Sequence, residues 1–212
     1  MRYGHKVIRR LKRRLRRRHT RAWLATLGLV VLIAVLYSSS LPKYIDPTAY
    51  RGLLDVIAKG ESQGSYNAYF GRPANSSLKL TDMSVAQVLT WQQDYVQAGS
   101  ASSAAGRYQI IQPTLEGLVR DRAAQPSDVF SPALQDHLAI KLAERRGARE
   151  FVAAKISAPQ FAANLSREWA ALPRVMGANP TSSFYAGDGL NQSRVPVGTI
   201  LHAVDEFKRL AQ

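Results

Sequence analysis

The sequence predicts a mainly helical α+β domain with a small irregular β insert, preceded by one N-terminal transmembrane helix. Three observations lead there. Apolar residues recur at helical spacing in about six segments after position 47. Between Ser62 and Thr81 that periodicity gives way to Ser, Asn, Gly, Tyr and Pro, and no run of alternating strands argues for a parallel sheet. Residues 22–41 form a 20-residue stretch without charge, directly after a strongly basic N-terminus.

Charge sets the organisation. The formal net charge is +14, from 29 basic and 15 acidic residues. Eleven of the basic residues fall in positions 1–21, which hold no acid, leaving 18 basic against 15 acidic residues, or +3, for the rest. The basic balance therefore belongs to a tail, and a basic nucleic-acid-binding domain is excluded; no nucleic-acid partner is required. The expected arrangement is a cytoplasmic tail (1–21), a signal-anchor (22–41), a linker (42–46) and a catalytic domain (47–212). A span of 20 residues matches the ~20 needed to cross hydrocarbon. Positive charge before it predicts an N-in orientation in the inner membrane, with the domain in the periplasm or cell-wall space. The arginines would also sit against anionic headgroups. A cleaved signal peptide is the alternative, with Ser38–Ser40 near its cleavage site. The charged n-region is long for that, and the uncharged core exceeds the usual ~7–15 residues. With no cysteine, disulfides and thiolate metal sites are excluded.

Taken in order, Asp46-Pro47 gives a helix start, with a side-chain acceptor at the cap and proline where no N–H is needed. Tyr50, Leu53, Leu54 and Ile57 follow at helical spacing, and Gly60 is the expected stop. After the irregular insert, Thr81 or Asp82 is expected to cap a helix carrying Val85, Val88, Leu89, Tyr95 and Val96. Trp91 lies off that stripe, with packing the default account and sugar stacking the alternative. A Ser/Ala/Gly loop leads to Gly106–Ile111, and Pro113 starts a helix to about Arg122. Ser131-Pro132 opens the next, running to Gly147. A short helix over 149–155 follows, then one from Ser157 through Phe161, Leu165 and Trp169. Positions 174–194 return to Gly, Asn and Ser. A last helix carries Ile200, Leu201, Val204 and Phe207.

Two chemistries compete at Gly60-Glu61-Ser62-Gln63-Gly64. Ser62 sits in G-x-S-x-G, and Ser62, Asp188 and His202 follow the chain order of an α/β-hydrolase triad. That elbow is a strand-to-helix turn, whereas the segment before Ser62 is helical. Metal chemistry lacks ligand spacing: His5 and His19 lie in the tail, and His137 and His202 stand alone, so no metal or cofactor is expected. Glu61 is the remaining candidate, a carboxylic acid at a helix C-terminus. The negative dipole end and desolvation would both raise its pKa, as a glycosidase acid requires.

Several segments occur together in one order: Gly60-Glu61-Ser62, Ser103-Ala104-Ala105-Gly106-Arg107-Tyr108-Gln109, Phe130-Ser131-Pro132…Gln135-Asp136, Glu144-Arg145…Gly147-Ala148 and Trp169-Ala170-Ala171-Leu172-Pro173. This set resembles the lambda-type phage lysozymes, lytic transglycosylases of the lysozyme-like superfamily, over roughly residues 50–210. The resemblance implies a lysozyme-like fold and cleavage of the MurNAc–GlcNAc β-1,4 bond of peptidoglycan, with Glu61 as the single catalytic acid and 1,6-anhydro products. It places Gly106, Arg107, Tyr108 and Gln109 across the cleft from Glu61 and makes them, with Ser62 and Tyr185, candidate substrate-binding residues. Gly106 would let backbone approach the sugar; Tyr108 and Gln109 would hold the sugar or orient Glu61, or serve the core.

The chain departs from the family pattern in its tail and span and in a longer 174–194 loop. Another class of phage lysozymes carries an aspartate nine residues after the glutamate; here that position is Phe70. The alternatives are a hydrolytic muramidase on the same fold and a non-catalytic cell-wall-binding protein. Expected partners are peptidoglycan glycan strands, the membrane through the N-terminal helix, and a phage, secretion or conjugation assembly.

Overall fold

The computed structural model describes residues 41, 42 and 44–212. The expected tail and all but the last position of the expected span lie outside the described residues. Within them, no helix is long and apolar enough to cross a membrane. Residues 43–212 form one compact unit.

The domain is mainly helical. The Asp46 carboxylate accepts the Thr48 N–H at 2.8 Å and caps a 3-10 turn, Pro47–Tyr50, which feeds α1 (Arg51–Ser62). There follow α2 (Val85–Gln97), α3 (Gln112–Arg120), α4 (Pro132–Arg145), α5 (Ala148–Val152), α6 (Ala158–Leu165) and α7 (Val197–Ala211). Ser131 and Ser157 cap α4 and α6 as their Ser-Pro and Ser-x-Pro patterns predict.

The α1 stripe of Leu53, Leu54 and Ile57 packs on Ile200, Val204 and Phe207 of α7, all buried. Tyr50 meets Phe207 with ring centroids 4.5 Å apart, and Phe207 joins the stacked Phe151 and Phe161. Each such side chain contributes roughly 1.5–3 kcal/mol on burial, so this seam is what fixes the C-terminal turn of α1 in space.

Three expectations are corrected. Thr81 and Asp82 cap nothing, because Leu80–Asp82 closes its own 3-10 turn; Ser84 caps α2, in a reciprocal capping box with Gln87. The helix expected over 149–155 ends at Val152, and Ala154 adopts a left-handed φ of 56°. The helix expected to reach Trp169 stops at Leu165, where the Ser166 hydroxyl turns back to the Ala163 carbonyl at 2.8 Å. Trp169 is still buried, but in the turns that follow. The β insert contains only isolated bridges, with Tyr69 pairing to Arg72 and to Ala105. It is braced by aromatics: Trp91 stacks on Tyr95 at 5.1 Å, Tyr69 meets both edge-on, and the Tyr95 hydroxyl donates to the Phe70 carbonyl. Trp91 is thus a packing residue.

Candidate active site

The site starts from the end of α1. Gly60 does not stop this helix, which runs on through Glu61 to Ser62 and ends at Gln63, with φ 57°. Gly60 is there for close packing: a Cβ would lie 2.7 Å from Val195 Cγ2 and 3.1 Å from Ala171 Cβ. That approach brings the chain at Ala171 beside Glu61, whose Oε1 accepts the Ala171 N–H at 2.9 Å. The Ala171 carbonyl in turn accepts the N–H groups of Arg194 (2.8 Å) and Val195 (3.1 Å). One residue, Ala171, thus joins the acid to the segment that leads into α7.

Burial pushes the Glu61 carboxyl up to about 7, against the opposing pull of the Ala171 N–H and the Arg194 charge. Desolvation penalises the ionised form by more than these two partners stabilise it. Near neutral pH the group therefore exists in both forms, as a group that gives and takes a proton must.

Glu61 opens into a cleft of about 390 Å³. Phe70, Tyr108 and Gln109 line it on the insert side; Arg146, Arg167, Glu168, Trp169, Tyr185 and Arg194 line it on the other. A larger depression of about 580 Å³ lies over α4 and α5, but its Lys141, Glu144, Arg145 and Arg149 are spent in ion pairs, and Glu61 is not among its residues. Among the described residues, no group of three or more His, Asp or Glu side chains is placed to hold a metal ion.

Of the residues expected to bind substrate, three reach this cleft and three do not. Tyr108 presents a buried ring there, its hydroxyl donating to Asp136 Oδ1 at 2.7 Å; burial, then Asp136, push its pKa far up, so it stays a neutral donor. Gln109, with a left-handed φ of 47°, folds its amide back to the Gly106 carbonyl at 2.8 Å. Tyr185 is 40% exposed and donates its hydroxyl to the Arg167 carbonyl at 2.7 Å.

Ser62 is buried behind the cleft, with its hydroxyl on the Arg107 carbonyl at 2.6 Å. Gly106 serves Gln135 rather than a sugar: at φ 78° a Cβ would collide with the Gln135 amide and lie 3.0 Å from Phe130 Cε1. Arg107 turns away into a separate pocket, pairing with Asp55 and lying over the Tyr66 ring. The serine triad is likewise absent. Asp188 binds its own loop at the N–H groups of Leu190 and Asn191, and His202 faces solvent beside Glu206.

A family model for endolysins matches residues 52–186. The chain belongs to the endolysin family. It is thus a phage endolysin-type, lysozyme-like protein, and its general activity is that of a peptidoglycan-degrading glycosidase. No curated protein and no solved structure gave a match.

In this endolysin several cleft residues carry no signal in the sequence. Arg146 donates from Nε to Glu168 Oε2 at 2.9 Å and from a terminal nitrogen at 2.8 Å, neutralising the other carboxylate of the cleft. Charged residues 22 positions apart give no local signal for that pairing. Arg194, which bears on Glu61, lies beyond the matched segment. The Trp169–Pro173 and Gln135-Asp136 segments did carry a signal, and each now has a role. The first supplies the Ala171 N–H. In the second, the Gln135 amide ties Arg107, Tyr66 and Phe130 together, and Asp136 accepts from Tyr66 and Tyr108.

Proposed function

We propose that this endolysin is a lytic transglycosylase, in which Glu61 alone acts as acid and then base on the MurNAc–GlcNAc β-1,4 bond. The observation that carries this reading is the Glu61 carboxyl poised at about 7 inside the cleft. Protonated Glu61 gives its proton to the glycosidic oxygen as the bond to the muramoyl C1 breaks. The resulting carboxylate then takes the proton of the C6 hydroxyl, whose oxygen closes on C1. The proton count returns to its start, and the product is a 1,6-anhydro muropeptide. Glu168, the other carboxylate lining the cleft, is occupied by Arg146, which favours a one-carboxylate mechanism.

Mass spectrometry of muropeptides released from sacculi tests the assignment. Anhydro ends that disappear in Glu61→Gln are expected, whereas reducing ends would make the protein a muramidase, with water in place of the C6 hydroxyl. We further propose that residues 22–41 hold the enzyme in the inner membrane with the domain on the wall side, supported by the uncharged stretch behind the basic tail. Deleting 22–41 should release the protein from the membrane fraction.

A further inference from the structure

The cleft holds three arginines, and they are not equivalent. Arg146 is neutralised by Glu168. Arg194 directs a terminal nitrogen at the Gly60 carbonyl, 3.4 Å away, and acts on Glu61. Arg167 is exposed, and among the described residues no carboxylate and no hydrogen-bond acceptor pairs with its guanidinium. Its position is nonetheless fixed. The guanidinium carbon lies 5.3 Å from the centroid of Phe184, whose ring Arg174 also approaches, at 5.6 Å. Arg174 is spent on the carbonyls of Ser183 and Phe184, which anchor this ring. The backbone of Arg167 is held as well, its carbonyl accepting from Tyr185 and from Arg146.

A planar cation held over an aromatic ring, with its donors unspent, is a fork available to a carboxylate. The acids of the cleft do not cancel it, because Glu168 is paired with Arg146 and Glu61 is engaged by the Ala171 N–H and the Arg194 charge. We propose that Arg167 is a specificity-determining residue that binds a carboxylate carried by the muramoyl residues of the glycan strand. The cleft thereby distinguishes acidic peptidoglycan from an uncharged polysaccharide of the same backbone. Two sources share this chemistry: the acidic side groups of the stem peptide, and the lactyl carboxylate left where the peptide has been removed. The inference rests on the peptidoglycan-cleaving reading of the cleft, but it is read by binding rather than by turnover.

The test uses full-length Glu61→Gln protein, so that substrate is not consumed and the basic N-terminus contributes equally throughout. Binding is measured by co-sedimentation with intact sacculi and with sacculi whose carboxyl groups are coupled to glycinamide; soluble glycan strands stripped of peptide by an amidase, with and without the same coupling, are added as competitors. Glycinamide coupling should weaken binding about tenfold, the scale of one charge-assisted hydrogen-bonded contact. Adding Arg167→Ala should remove that difference. Arg167→Lys, which keeps charge without the fork, should restore only part of it. Stripped strands that compete only while their carboxyl groups are free identify the lactyl carboxylate; weakened binding to coupled sacculi, with strands that compete equally with and without coupling, identifies the stem peptide. Binding that coupling weakens neither for sacculi nor for stripped strands overturns the proposal, as does an Arg167→Ala protein that still tells coupled from uncoupled material apart. Thermal unfolding of each variant excludes a folding defect. A wild-type protein that releases no muropeptides would instead count against the proposed activity, a separate outcome.

Discussion

Glu61 Oε1 accepts the N–H of Ala171 at 2.9 Å, across 110 positions of sequence. This bond orients a carboxyl that burial would otherwise leave without a fixed partner. Because Ala171 also receives the N–H groups of Arg194 and Val195, the acid is registered against both late segments of the chain.

Glu61→Gln keeps the shape of the side chain and its ability to accept from Ala171, but it has no proton to give. Turbidity loss of a sacculus suspension should fall by about 100- to 10,000-fold, the usual contribution of a general acid–base group. The unfolding midpoint below about pH 4.5, where wild-type Glu61 is protonated in both states, should stay close to wild type. Retained activity would remove Glu61 from the mechanism.

The raised carboxyl also sets a pH dependence. As an acid its folded pKa, about 7, lies above its ordinary 4.5, so the folded state holds the proton more tightly. The stability this gives is fully present below about 4.5 and is lost as pH rises through about 7. Denaturation curves of wild type and Glu61→Gln should therefore diverge between those limits, the glutamine variant gaining relative stability towards alkaline pH. Activity should show an alkaline limb near 7, since only protonated Glu61 can start the reaction.

Glu168→Gln separates one-carboxylate from two-carboxylate chemistry. If Glu168 only pairs with Arg146, activity should drop by less than about tenfold, well short of losing a catalytic acid or base. A loss as large as that of Glu61→Gln would mean that Glu168 takes part in the reaction. Arg146→Ala leaves the Glu168 side chain, only 11% exposed, without its cation. It should cost about 1–3 kcal/mol in chemical denaturation.

Gly60→Ala would ordinarily stabilise a helix interior by about 1 kcal/mol. Here the new methyl meets Val195 Cγ2 at 2.7 Å, so we expect a net loss of about 1–3 kcal/mol from overpacking. Val195→Ala removes the colliding methyl, and the double variant should be more stable than the sum of the two single changes. Additive effects would show that the α1–α7 contact yields more easily than its geometry implies.

Much of the fold was legible because it is local. Ser131-Pro132, Ser157 and Asp46 announce helix starts through backbone chemistry that needs no distant partner, and the α1 and α7 stripes follow from periodicity. Helix ends were read less well. Gly60 has the residue type of a stop, but a glycine is also what allows two backbones to approach, and only the position of Val195 distinguishes the two. Glu61 stood out as a candidate because it is the acid at the end of α1, although the partner that orients it lies 110 positions away. Ser62 lies outside the cleft for a helical reason, since adjacent residues of α1 face different sides, Glu61 towards the cleft and Ser62 towards the core; Arg107, in a turn, is drawn into another pocket by Asp55. The pairing of Arg146 with Glu168 joins two segments through long side chains, and nothing near either residue reports it.

The contacts around Gly60 also bear on when the enzyme becomes dangerous. A free α1 peptide would carry Glu61 as an ordinary, ionised carboxylate at neutral pH, unable to start the reaction. Its elevated pKa depends on burial, which requires residues 171 and 194–195 to have docked, so the protein acquires its acid only when nearly the whole domain has assembled. A chain in which these segments have not docked would therefore carry a carboxylate too acidic to start the reaction. For an enzyme that cuts the wall of a cell, completion of the fold acts as the safety catch.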